Sequence, residues 1–252
     1  MRHFFLSLLV GLFACACGCD SLSQAAQPPD VPAWAKGMIL NRSLSDPKDA
    51  GELVFSDPAV WKFTKDADGK GCLELAYDTK KYKSTYSPKH RSPVHIALFK
   101  QYTFTDFVMD VEVMSTVEPY GHQDACLFFG FQDPEHYNYT HLAPAPDMNA
   151  HNIFIVNEAP RKNLLDPQKK GIEWKKDTWH KLRLVRQAST GKIEVYFDDF
   201  TKPVLAAEDK TFPKGFAGFG SFDDTARFRN ARLYTKVLNL DKQADFFKPV
   251  EK

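Results

Sequence analysis

From about Leu53 onward the chain consists of short alternating or apolar runs broken by Gly, Pro, Asp and Asn. Alternation with period two puts successive side chains on opposite faces of an extended strand, so these runs predict β-structure. The clearest is Asp106–Val113, in which Phe107, Met109, Val111 and Val113 share one face. Strands are expected near 60–63, 72–77, 94–99, 106–115, 124–132, 137–142, 151–157, 179–187, 191–198, 215–222 and 227–234. Lys181–Arg186 and Lys192–Phe197 flank Ala188-Ser189-Thr190-Gly191, which reads as a hairpin. No stretch between 50 and 235 sustains helical periodicity. Many short strands with few helices predict an all-β chain folded as a two-sheet jelly-roll sandwich. One domain over 36–240 accommodates them, with 241–252 as a tail.

Strand parity also sorts the residues that could carry chemistry. On 124–132, Ala125, Leu127, Phe129 and Phe131 form an apolar face expected in the core, and Asp124, Cys126, Phe128, Gly130 and Gln132 point the other way. Tyr137, Tyr139 and His141 share a face, and His151 aligns with Ile153, Ile155 and Asn157. Six of the eight histidines fall between 90 and 151, so a site is sought there. A sheet face bearing Tyr, His, Asp and Gln suits a sugar, because rings contact sugar faces while polar groups bind hydroxyls. Each residue alone is also a common tenant of a half-buried sheet. His136 and His180, beside turns, are assigned structural roles.

The amino terminus differs from the rest. Arg2 and His3 precede an apolar run, Phe4–Phe13, and then Ala14-Cys15-Ala16-Cys17-Gly18-Cys19. A basic start, a short apolar core and a small-residue exit describe a secretory signal over 1–19, too short to span a bilayer as a helix. Leu12-Phe13-Ala14-Cys15 also resembles a bacterial lipoprotein signal, with Cys17 and Cys19 as alternative lipid acceptors and simple release as the other outcome. A membrane is therefore expected as a partner only through a lipid anchor. The polar, Pro-containing stretch 20–35 reads as a tether. Cys72 and Cys126 then remain, either as one disulfide or as buried thiols.

The order of the segments Asp106–Val113, Cys126–Phe131, Trp179–Val185, Ile193–Asp198 and Gly215–Gly220 resembles the concanavalin A-like lectin/glucanase superfamily, especially its bacterial exported branch near the 3-keto-disaccharide hydrolase domain. The likeness spans roughly 50–235 and implies a jelly roll whose concave sheet holds a glycan; it leaves open whether the glycan is cut.

Lys plus Arg number 33 against 32 Asp plus Glu, a balance that argues against nucleic acid as a partner. Locally, Lys80, Lys81, Lys83, Lys89 and Arg91 occur between Thr79 and Arg91 with no acid among them, and a second basic region begins at Arg161. Basic loops beside a polar-aromatic face would attract an acidic polysaccharide or oligosaccharide, although lysines also simply solvate loops. No HExxH, P-loop or GxGxxG is present, and Glu112 and Glu194 read as strand-surface acids rather than a catalytic pair. The expectation is β-elimination from a uronate, with His95, Tyr139 or His141 as base or acid and Arg91, Gln132 or Asn157 on the carboxylate. His122, Asp124, Tyr137, His151 and Arg161 complete the expected binding face. A non-catalytic glycan-binding module and a glycoside hydrolase are the alternatives. No cofactor is required; Asp223-Asp224 offer a calcium ion too few oxygens, and a turn explains them as well.

Overall fold

A computed structural model describes residues 30–241 and 246–247. The stretch read as a signal, with Cys15, Cys17 and Cys19, and most of the stretches read as tether and tail lie outside the described residues. Two antiparallel sheets face each other. The larger runs β14 (Leu205–Glu208), β13 (Lys192–Phe197), β12 (His180–Gln187), β7 (Phe107–Ser115), β16 (Ala226–Thr235), β4 (Gly71–Leu75) and β3 (Trp61–Lys65), with β1 (Met38–Arg42) also paired to β16. The second runs β11 (Lys162–Asn163), β10 (Asn152–Asn157), β9 (His136–Leu142), β8 (Ala125–Asp133), β15 (Phe216–Ser221), β5 (His95–Phe99) and β2 (Leu53–Phe55). A ribbon of β6 (Tyr102–Thr103) and β17 (Asn239–Leu240) stands apart.

Every strand expected from alternation is present, its ends moved by two residues or fewer. The Lys181–Phe197 hairpin forms with Leu182 opposite Phe197 and Gln187 opposite Lys192, and Gly191 supplies the positive φ of its turn. Between the sheets lie Phe107, Met109, Val111 and Val113 from β7 and Ala125, Leu127 and Phe129 from β8, as alternation dictates. The outer face of the larger sheet is polar. There Glu74–Arg227, Glu112–Arg229 and Asp110–Arg183 pair across neighbouring strands at 2.7–2.8 Å, and Glu194 binds Lys192 and the Tyr196 hydroxyl. Residues 30–35, the end of the stretch read as a tether, pack against this face: Val31 and Ala35 join Val108, Val185 and Tyr234. Cys72 and Cys126 are both buried and free.

Phe131 departs from the expected core face. Gly130 adopts φ +57, and three residues of β8 (Phe128–Phe131) advance against two of β15 (Gly218–Phe216). This bulge resets the alternation and turns Phe131 outward beside Phe128. The outer face of the second sheet thereby carries an apolar layer of its own: Phe128, Phe131, Tyr137, Tyr139, Phe154 and Phe216. Tyr86, Phe246 and Phe247 close over it, with Phe246 5.4 Å from Phe131 and Phe247 5.1 Å from Tyr86. A Cβ at position 130 would also meet Phe212 Cβ and O at 2.9 Å. Gly130→Ala is therefore expected to cost about 2–4 kcal/mol, from the left-handed backbone and the overpacking together, read as a lowered denaturant midpoint.

Candidate functional site

Antiparallel pairing brings one end of each central strand of the second sheet to the same rim. The start of β10, the end of β9, the start of β8, the end of β15 and the start of β5 lie side by side, as the pairs Asn152–His141, His141–Cys126, Cys126–Gly220 and Ser221–His95 show. The loops leaving this rim, 76–94, 116–124, 143–151 and 222–225, form two adjoining cavities that share Asp223.

Arg91, Tyr120, His122, His141, Asn149, Arg161, Phe222 and Asp223 line the first, of about 180 Å³. Arg161 reaches across the aromatic layer, its guanidinium 4.6 Å from the centre of the Phe154 ring and 4.4 Å from that of Phe222. Its terminal nitrogens donate to the Tyr139 hydroxyl (2.8 Å) and to the Asn149 carbonyl (2.9 Å). Arg91 lies 5.3 Å from the same Phe222 ring. Among the described residues neither guanidinium has a carboxylate within salt-bridge distance. His122 pairs with Asp147 at 2.8 Å and ties two of the rim loops together. His141 is 4% exposed and its Nδ1 has no hydrogen-bond partner. Burial, aided by Arg161 and His122, pushes its pKa down to about 3, so the imidazole is neutral.

The second cavity, about 300 Å³, is lined by Tyr77, Tyr82, Ser84, Tyr86, Val94, His95 and Asp223 among others. His95 packs on Tyr77 with ring centres 4.4 Å apart, and its buried Nδ1 also lacks a partner. Burial lowers its pKa to about 4, against the opposing pull of Asp57.

Beneath both cavities sits Asp124, fully buried. Its oxygens accept from Ser221 Oγ, the Phe222 amide and the Cys126 thiol, and its amide donates to Asp224. Asp224 in turn accepts from the Tyr120 hydroxyl at 2.9 Å. Burial raises the pKa values of both acids, with the Asp224 charge adding to it at Asp124 and the Asp223 charge at Asp224. Oxygens of Asp124, Asp223 and Asp224 lie within 4.8 Å of one another, yet two of the three carboxylates are already engaged by protein donors. This set does not fit calcium, which takes six to eight oxygen ligands. Asp223 alone of the three turns an unengaged carboxylate to the groove; burial raises its pKa while Arg91, Arg161 and His122 pull it down.

The rim gathers Arg91, His122, His141 and Arg161 around one cavity and His95 beside it, with Asp124 below. The other expected residues are elsewhere. Tyr137 and Tyr139 have no exposed surface and belong to the aromatic layer, so the open sugar platform expected on their face is closed by packing. Gln132 is exposed toward the opposite end of the sheet, where it donates to the Lys214 carbonyl. Asn157 is exposed and pairs with His136 at that far end. His151 is buried with φ +50 and accepts from the Ala143 amide, so it shapes the 143–151 loop without lining either cavity. Tyr120, Asn149, Phe222, Asp223, Tyr77 and Tyr82 join the site without having been expected.

No protein-family model and no curated protein matches the chain. Among solved structures it is similar to the carbohydrate-binding module CBM66 from Bacillus subtilis, with a TM-score of 0.51 and 14% identity over 73% of this chain and 96% of that one. A Lotus tetragonolobus seed lectin matches at 0.49 and 13% identity, over 82% of this chain and 100% of that one. A Bacillus subtilis protein of unknown function with a galectin-like fold matches at 0.49 and 14%, over 79% and 97%. Of these, only the first exceeds 0.5, and at 14% identity it speaks for the fold alone.

The fold is a two-sheet jelly-roll sandwich. That is a coarser placement than the 3-keto-disaccharide hydrolase branch, which these likenesses do not single out.

The neutral imidazoles give the jelly roll a distinctive acid response. Between pH 6.5 and about 3, the unfolded chain takes up a proton at residue 141 that the folded chain refuses, so acidification favours unfolding. His141→Gln is expected to lose about 2 kcal/mol less than the parent between pH 7 and pH 4.5, measured by denaturant unfolding at each pH.

Proposed function

We propose that the protein binds an acidic glycan in the Arg91–Arg161 cavity. The observation that carries this reading is a pair of guanidinium groups held against one ring, Phe222, with no carboxylate partner within salt-bridge distance. An arginine has five donors in a fixed fork matched to carboxylates and sulfates. Among the described residues, Arg161 gives its terminal nitrogens only to neutral oxygens, and no hydrogen bond holds Arg91. Positive charge held over an aromatic ring attracts an anion, and Asp223, in the same lining, forms no salt bridge with either arginine among the described residues. The carbohydrate-binding module and lectin it resembles in fold agree with this reading. Arg91→Ala, at an exposed position, should weaken binding of acidic oligosaccharides about tenfold or more and flatten the salt dependence of the affinity; calorimetry at two ionic strengths measures both. Unchanged affinity would remove the basis for the proposal.

A second reading, β-elimination, is favoured by the meeting of neutral His141 and Tyr120 in that cavity. Burial and the Asp224 contact keep the Tyr120 phenol protonated. His141 would take the proton beside the uronate carboxylate while Arg91 and Arg161 stabilise the negative charge. The bond to the leaving oxygen would then break as the ring double bond forms, and Tyr120 would return a proton to that oxygen. Tyr139 cannot serve as base, since it is sealed under Arg161. The burial that keeps His141 neutral also makes it a weak base, which is why binding ranks ahead of cleavage. Hydrolysis by a carboxylate pair has less support, because Asp124 and Asp224 are engaged and Asp223 stands alone. Elimination predicts ultraviolet absorbance from an unsaturated uronate product, lost in His141→Ala; no absorbance from any uronate glycan that binds would exclude it.

A further inference from the structure

We propose that the groove is built for an alternating glycan, with an acidic sugar at the two arginines and an uncharged sugar in the tyrosine-lined cavity next to them. This rests on the reading of the arginine cavity as an anion site. The two halves differ sharply in charge. No lysine or arginine lines the 300 Å³ cavity, although its loop carries Lys80, Lys81, Lys83 and Lys89. Two of these are turned to other partners: Lys81 to Asp78 at 3.5 Å and Lys89 to Glu135 at 2.9 Å.

Among the described residues, Asp223 is the only charged group in the wall of that cavity. A second uronate or sulfated sugar placed there would face the Asp223 carboxylate with no lysine or arginine of that wall, among the described residues, to bind it, and like charges at such range repel. An uncharged sugar meets better complements. Tyr77, Tyr82 and His95 offer ring surface, with Tyr77 5.7 Å from Tyr82 and 4.4 Å from His95. The hydroxyls of Tyr82 and Ser84 both donate to the buried carboxylate of Asp57, at 2.7 and 2.9 Å; Ser84 Oγ also accepts from the Tyr86 amide at 3.1 Å, while the fixed Tyr82 oxygen keeps its lone pairs for a sugar hydroxyl. Asp223, shared by both walls, can accept from hydroxyls of the neutral unit while Arg91 and Arg161 balance its charge. A few fixed polar groups among aromatic surface describe a site selective for one class of ligand.

Calorimetry on the full chain compares three panels of oligosaccharides of equal length: alternating acidic and neutral (hyaluronan, desulfated chondroitin), acidic homopolymers (oligogalacturonate, oligoalginate) and neutral homopolymers (cello- and xylo-oligosaccharides). The alternating panel should contain the tightest ligand, by tenfold or more over any acidic homopolymer. Asp223→Asn and Ser87→Lys, which remove repulsion or add a cation at the second cavity, should each narrow that gap. An acidic homopolymer bound as tightly as the best alternating ligand overturns this inference and leaves the anion site standing. Neutral homopolymers binding best, or no binding by any acidic glycan, overturns the anion site and this inference with it.

Discussion

Asp124 sits at the start of β8 with no solvent contact, and each of its oxygens is filled by a donor from elsewhere in the chain: the Ser221 hydroxyl, the Phe222 amide, the Cys126 thiol. A carboxylate is tolerated in such a place only when its lone pairs are satisfied, because desolvation otherwise costs several kcal/mol. Its amide binds Asp224, and Asp224 holds the Tyr120 hydroxyl. One desolvated acid thus joins the end of β15, the start of β8 and the loop before β8. The arginine cavity lies directly against these segments, so its shape depends on this network.

The second constraint is the aromatic layer. A jelly-roll sheet that packs on one face and meets solvent on the other would carry a site in its hollow. Here the outer face of the seven-stranded sheet is itself filled, from Phe128 and Phe131 on β8 to Phe246 and Phe247 above them. The polar cavities lie instead at the rim, where strands end and polar loops begin. Arg161 marks the boundary: its guanidinium lies on Phe154 and Phe222 while its nitrogens reach polar oxygens. Charge held over rings is poorly hydrated on one side, which strengthens its attraction for an incoming anion.

The architecture was legible because alternation is strong wherever a strand buries one face, as on Phe107–Val113 and Leu182–Arg186. Short edge strands such as β2, β11 and β14 bury too little to leave a pattern, and none was foreseen. Alternation also misassigned Phe131, since a left-handed glycine resets parity without any change in composition. At the site, Arg91, His122, His141 and Arg161 were legible as polar residues concentrated between 90 and 161. Asp223 and Phe222 were not, because β15 inserts between β8 and β5, and only that strand order carries the 222–225 turn to the rim beside the rest. The tyrosine face of β9 misled for a related reason: Tyr137 stacks on Phe131 and Tyr139 lies between Phe154 and Arg161, partners on other segments that no local pattern connects to them.

The ion pair of Asp30 with Arg183, at 2.6 Å on the outer face of the eight-stranded sheet, fixes where the backbone joins the folded body. Arg183 is also clasped by Asp110, and Val31 and Ala35 sink beside it, so this attachment point is rigid. It lies on the back of the sandwich, one sheet removed from the rim that carries the arginines. Residues 30–35 and the rim cavities therefore lie on different sheets, so a molecule seated at the rim would not meet this part of the backbone.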